Sequence, residues 1–204
     1  MRKKIVGIID FSLGNHESLS QMIKNLGFGC FVSFEHSELE KSDLLILPGV
    51  GAFEPAMANL KSKQLDQYLI CAAKEQRAIL GICLGMQMLA SCSDENGETD
   101  GLNIIPGRVR RLASTSSHIG WNSIVKGKAD FLSPAAYQQN YYFNHSYAYE
   151  CSEEYIACTT IVEQRPVAAA IKSKNVIGLQ FHPEKSQTPG KELLRVLMKE
   201  LTSA

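Results

Sequence analysis

A junction built around one cysteine constrains this chain more than any other feature: Ala78-Ile-Leu-Gly81-Ile-Cys83-Leu-Gly85-Met-Gln87-Met-Leu89. Ala78 to Ile82 is an apolar run with the length and composition of a buried parallel strand. From Leu84 onward, Met86, Leu89 and Ala90 recur three or four apart, which suits a helix. Cys83 stands at the changeover, with Gly81 two before it and Gly85 two after. That pattern describes a nucleophile elbow, a sharp strand-to-helix turn that exposes its central side chain above the sheet. Small neighbours are needed there because the turn packs tightly and strains the backbone at the nucleophile. A thiol at a helix N-terminus also feels the positive end of the dipole, which favours thiolate. A buried structural cysteine would fit the same residues, so a partner base must be sought elsewhere in the chain.

The segments before this junction alternate between two periods. Ile5–Ile9 reads as a buried strand, and Asn15 as the N-cap of a helix to about Leu26 that Gly27 ends. Strands follow at Cys30–Phe34 and Asp43–Leu47, then the glycine-rich turn Pro48-Gly49-Val50-Gly51-Ala52-Phe53. Gln64–Glu75 is amphipathic, with Leu65, Tyr68, Leu69 and Ala72 on one face. After Ala90 comes a polar loop, Ser93–Gly101, long enough to carry function. Short strands are then expected at 108–112, 122–125, 141–143, 156–160, 167–171 and 176–180, before a closing helix from Lys191 to Leu201. The expected fold is α/β: a mainly parallel central sheet flanked by helices, with additional antiparallel strands in the second half. No linker or repeat divides the 204 residues, so residues 1–204 read as one domain. Ligands of such a sheet bind outside the carboxyl ends of its strands, where the PGVG turn and the Cys83 elbow both open.

The 21 basic and 21 acidic residues cancel, and no long like-charge run exists, so neither nucleic acid nor membrane is an expected partner. Six cysteines without a CxxC pair fit free thiols in a reducing compartment. The apolar run after the basic Arg2-Lys-Lys4 is too short for a signal peptide, and the chain reads as cytoplasmic.

The base is supplied by Gln180-Phe-His182-Pro183-Glu184-Lys185-Ser186. His182 directly follows an apolar strand, and Glu184 can turn back to hold its imidazole. Cysteine, histidine and carboxylate together meet the requirements of a nucleophilic triad. His16 and His36 lack such a setting and read as solvent-facing.

With these residues in view, GICLGMQ followed about a hundred positions later by QFHPEKS resembles the class I glutamine amidotransferases. More narrowly, GN at 14–15, PGVGAF at 48–53, HIGWN at 118–122, NHSY at 144–147 and HPEKSQ at 182–187 resemble the glutaminase subunits of imidazole glycerol phosphate synthase. The resemblance implies that Cys83 attacks the carboxamide of L-glutamine, His182 moves protons and Glu184 orients it. It implies oxyanion donors at the backbone of Val50 and Leu84, with a reorientable peptide between Gly49 and Gly51. Gly51, Gln87, Glu95, His145, Ser146 and Tyr147 match glutamine-holding positions. Asn15, Trp121 and Lys185 match positions that face a (β/α)8-barrel, cyclase-type synthase subunit in a heterodimer. No cofactor or metal is implied.

Three departures from the family pattern stand out. Thr160–Val167 lacks a customary Tyr-Gly and Phe, Asn144 stands where Val is common, and Ser117 where Pro is common. The partner could thus be the histidine-pathway cyclase or a paralogous barrel serving surface-sugar amination. A stand-alone cysteine hydrolase and a catalytically dead binding subunit are the readings from other classes. An intact triad opposes the latter, and the PGVG, HSY and HPEKS segments together oppose the former.

Overall fold

The first half folds as β1 (Ile5–Ile9), α1 (His16–Asn25), β2 (Gly29–Ser33), α2 (His36–Leu39), β3 (Leu44–Leu47), α3 (Phe53–Ser62), α4 (Leu65–Lys74), β4 (Ile79–Ile82) and α5 (Leu84–Met88). The second half adds β5 (Cys92–Ser93), β6 (Thr99–Asp100), β7 (Arg108–Arg111), β8 (His118–Ser123), β9 (Val125–Lys126), β10 (Asn140–His145) and β11 (Tyr147–Glu150). It closes with β12 (Ile156–Val162), β13 (Arg165–Ser173), β14 (Val176–Leu179) and α6 (Gln187–Leu201). This computed structural model describes residues 2–12, 16–112, 117–129 and 131–203.

Eight strands form one sheet in the order β2-β1-β3-β4-β14-β13-β12-β9. The first five run parallel, and β13, β12 and β9 extend the sheet antiparallel. The central strands are apolar on both faces because both are covered. Ile46, Leu80 and Ile82 belong to the cluster that contains Leu19 and Ile23 of α1 and Leu194 and Leu197 of α6. Leu45, Leu47 and Ile79 belong to the opposite one, with Phe53, Met57 and Leu60 of α3 and Leu65 and Leu69 of α4. Each such side chain stabilises the fold by about 1.5–3 kcal/mol when fully buried. Two smaller sheets, β10-β8 and β11-β7-β5-β6, complete the molecule.

Several elements depart from the sequence expectation. Helix α3 occupies a segment read as loop. Its Pro55 lies in the first turn, where a missing N–H does no harm, and Phe53, Ala56, Met57 and Leu60 form its buried face. The elbow helix α5 has only five residues. The polar loop at 93–101 contains the short β5–β6 pairing, and β8 starts four residues earlier than its apolar residues suggested. Neither minor histidine simply faces solvent: His36 stacks on Tyr68 with centroids 4.7 Å apart. His16 Nε2 is buried without a hydrogen-bond partner among the described residues.

Gly85 shows why the elbow tolerates no bulk. A Cβ added there would lie 1.8 Å from the Leu47 carbonyl oxygen, a backbone atom that cannot swing aside. Gly85→Ala is therefore expected to destabilise the fold by about 3 kcal/mol or more, at the upper end of overpacking effects. A urea midpoint unchanged from wild type would contradict that close approach.

Candidate active site

Three neighbouring parallel strands, β3, β4 and β14, deliver their carboxyl ends to one edge of the sheet. β3 runs into the PGVG turn, β4 into Cys83, and β14 through Gln180 and Phe181 to His182. Cys83 is held at φ 54° and ψ −109°, outside the ordinary regions for a non-glycine residue. Such strain, of order ~1–3 kcal/mol, persists only where surrounding structure enforces it. Here the Cys83 N–H donates to the Leu179 carbonyl at 2.7 Å. Gly81 admits the returning chain, since a Cβ there would come within 2.7 Å of the Gly85 carbonyl oxygen.

His182 is buried, and its Nδ1 lies 2.8 Å from Glu184 Oε1. Burial alone would lower its pKa. Hydrogen bonds with Cys83 and Glu184, together with their negative charge, outweigh that and raise it to about 9. At neutral pH the imidazole is thus a cation, and a cation at that position favours negative charge on the sulfur it touches. Glu184 Oε2 is enclosed without a partner among the described residues, so this carboxylate faces the histidine and little else.

Two contacts not foreseen from the sequence flank the sulfur. Gln180 Nε2 and the Asn144 carbonyl each lie 3.9 Å from Sγ. Gln180, fully buried, accepts at Oε1 from Gln87 Nε2 at 3.0 Å. Gln87 Nε2 also donates to the Tyr147 carbonyl at 2.9 Å. Both bonds use the amide nitrogen, which leaves Gln87 Oε1 as the acceptor end of a buried amide beside the sulfur.

The facing wall comes from the smaller sheets. The end of β10 contributes Asn144 and His145, and Ser146 and the first residue of β11, Tyr147, follow. The segment between β5 and β6 contributes Glu95, whose Oε2 accepts from the Phe53 N–H at 2.8 Å. Together with Val50, Gly51, Leu84 and Gln87 these residues line a cavity of about 260 Å³ that also contains Cys83 and His182. Every residue singled out as glutamine-holding, and both backbone positions named for the oxyanion, lie on this one cavity. Glu184 stands behind His182 rather than on the wall. A larger groove of about 530 Å³ runs along β7, β11, β12 and β13, but it contains neither Cys83 nor His182.

The sequence matches the glutamine amidotransferase class-I family over residues 7–201. The chain belongs to the class I glutamine amidotransferases. It is 38% identical over 198 residues to the imidazole glycerol phosphate synthase subunit HisH of Bacillus subtilis, covering 93% of each chain. It is 38% identical over 195 residues to HisH of Listeria monocytogenes, covering 94% of this chain and 93% of the relative. This amidotransferase is of the type that those subunits form. Among solved structures, a crystal structure of a glutamine amidotransferase superposes with a TM-score of 0.74 at 18% identity, covering 98% and 99% of the two chains. PurLQS from Thermotoga maritima does so with a TM-score of 0.74 at 18% identity, covering 98% and 100%. At that identity the likeness concerns the fold.

One outer face of this amidotransferase is conspicuously apolar. Ile119 and Trp121, two apart on β8 and so on one side of the strand, are 62% and 48% exposed. Trp121 meets Tyr142 edge-on, with centroids 6.0 Å apart, and Lys185 Nζ lies 5.9 Å from the same ring. Tyr142 thus joins two residues named from the sequence, although it was not itself singled out. Cross-strand register pairs it with Trp121, which no local pattern reveals. Asn15 lies outside the described residues.

Proposed function

We propose that this chain is the glutaminase subunit of a two-protein synthase. The observation that carries this reading is the shared cavity: nucleophile, base and glutamine-sized space meet at the strand ends of a class I amidotransferase. Cys83 thiolate attacks the carboxamide carbon of L-glutamine. The developing oxyanion is held by backbone N–H groups at Val50 and Leu84. His182, already a cation, gives its proton to the departing nitrogen, so the C–N bond breaks and ammonia leaves a γ-glutamyl thioester. Neutral His182 then takes a proton from water as the water attacks the thioester. Collapse expels the Cys83 thiolate, restores the thiolate–imidazolium pair and releases glutamate, whose γ-carboxyl proton passes to solvent. Glu184 keeps Nδ1–H of the imidazole fixed, so Nε2 is free to exchange protons with substrate. Gln87 Oε1 and the Glu95 carboxylate suit the substrate's α-ammonium, and the 145–147 backbone suits its α-carboxylate.

The ammonia passes to a (β/α)8-barrel subunit docked over Trp121, Tyr142 and Lys185 as a heterodimer, in the cytoplasm. The relatives' names favour the cyclase of imidazole glycerol phosphate synthase, in histidine biosynthesis, over a paralogous barrel. Exposed Ile119 and Trp121 speak against a stand-alone hydrolase, since large apolar side chains grouped on a surface mark a partner site. Trp121→Ala should weaken binding to the purified barrel subunit by about 2 kcal/mol, as loss of a central aromatic anchor does. Calorimetric titration that gave an unchanged Kd would place the interface elsewhere.

The raised pKa of His182 also fixes a pH limit. Because the imidazolium is the form that protonates the leaving nitrogen, kcat/KM should fall as pH rises through about 9. Folding raises this group above its ordinary 6.5, so the ion pair contributes its full stability below 6.5 and loses it as pH climbs through about 9. A pH–rate profile flat to well beyond that value would contradict the assigned proton donor.

A further inference from the structure

Two imidazoles outside the triad are joined in one directed chain of hydrogen bonds. At its inner end, His145 Nδ1 lies 2.8 Å from the Tyr147 carbonyl. A carbonyl only accepts, so Nδ1 carries the ring's proton. Burial pushes His145 down to about 4 and lowers His118 as well, which keeps both rings neutral at neutral pH. His145 Nε2 is then bare, and His118 Nδ1, 2.9 Å away, must donate to it. At the outer end, Asn122 Nδ2 donates to the Ile161 carbonyl at 2.9 Å and lies 3.2 Å from His118 Nε2. The Ser123 N–H, donating to Asn122 Oδ1 at 2.9 Å, fixes which way that amide points. Both ends therefore dictate the same arrangement, with the proton on Nδ1 in each ring.

The chain's position gives it a use. Along β8 the side chains alternate: His118 and Asn122 are half-buried on one face, while Ile119 and Trp121 stand exposed on the other. Among the described residues β8 pairs with β10 alone, and β10 ends at His145, one residue before Ser146 and the start of β11 at Tyr147. The inner face of this narrow ribbon touches the cavity wall, and its outer face is the proposed docking surface. The Tyr147 carbonyl accepts from both His145 and Gln87, so a shift of the imidazole is felt at the glutamine amide beside Cys83.

We propose that His118 is a positioning residue through which docking on the outer face of β8 is read as tighter glutamine binding in the cavity. This rests on the subunit reading above. A hydrogen bond between two rings weakens steeply as its angle departs from linear, so a small displacement of β8 alters how firmly the 145–147 segment is held.

The test uses the complex with the purified barrel subunit. His118→Leu removes both hydrogen bonds of the ring and should raise the KM for glutamine about tenfold, ~1.4 kcal/mol, while kcat stays within about threefold. His118→Asn places an amide nitrogen where Nδ1 stood and should recover most of that loss. Nitrogen NMR of the isotopically labelled wild-type protein should find both rings as neutral Nδ1–H tautomers at neutral pH. Wild-type KM in His118→Leu, a loss confined to kcat, or an Nε2–H tautomer at either ring would overturn the proposal. If His118→Leu failed to fold, the tautomers and the Asn variant would still decide. Wild-type turnover in the same assay keeps the two readings apart: its absence sinks the subunit reading, whereas turnover with an unmoved KM in the variant sinks only the role of His118.

Discussion

Cys83→Ala is expected to lower glutamine hydrolysis by more than about a hundredfold, because Cys83 is the only thiol among the described residues that line the cavity and its removal leaves only binding and oxyanion donors. The side chain is small, and alanine suits the elbow as well as cysteine does. Folding and attachment to the barrel subunit should therefore survive. The nitrogen chemistry belongs to the partner, so the variant complex should still form product when an ammonium salt replaces glutamine. Steady-state assays with each nitrogen source separate these outcomes. Glutamine-dependent activity above about a hundredth of wild type would remove Cys83 from its assigned role.

The second large effect lies at the base. His182→Ala should be nearly as damaging as loss of the sulfur, since one ring both protonates the leaving nitrogen and activates the attacking water. Glu184→Gln should cost roughly 10²–10⁴ in kcat, in the range of a general acid–base contribution. The amide could keep a hydrogen bond to Nδ1 but not the charge that helps to hold His182 as a cation. His145 is no substitute base, because Tyr147 and His118 engage both of its ring nitrogens. Small, equal effects from the two substitutions would mean that the sulfur is served by some other group.

The residues that were legible in the sequence are those whose chemistry depends on near neighbours. Gly81 and Gly85 bracket Cys83 because the elbow brings the chain back on itself within four residues. Glu184 lies two residues after His182 because that turn returns a carboxylate to the ring. Four of the five parallel strands, β1, β3, β4 and β14, were legible for a similar reason: burial on both faces leaves each a nearly continuous apolar run, whereas the edge strand β2 is only partly buried. What was not legible depends on register between distant segments. Gln180 meets Gln87 across 93 positions, and Tyr142 meets Trp121 only because β8 and β10 pair in one particular alignment. β8 itself was misplaced because its inner face is built of His118, Gly120 and Asn122, polar and small residues whose pattern resembles a loop. Helix α3 was hidden by Pro55, which breaks a helix interior but not a first turn.

The account as a whole turns on coupling between two proteins. Ammonia made without an acceptor is lost to solvent, and the PGVG turn offers a means of restraint. If the Gly49–Val50 peptide points its oxygen into the cavity, one oxyanion donor is missing, worth roughly 10²–10³ in rate. Gly51, at φ +105°, and Gly49 on the other side of Val50 leave that peptide freer to turn than ordinary residues would.

The most direct measurement is glutamate formation by the purified chain, alone and then with the barrel subunit and its ligand. The chain alone should be a weak glutaminase and should accelerate at least about tenfold in the complex, the smallest change expected from one restored donor. Equal turnover with and without the partner would contradict the account and leave a stand-alone hydrolase in its place.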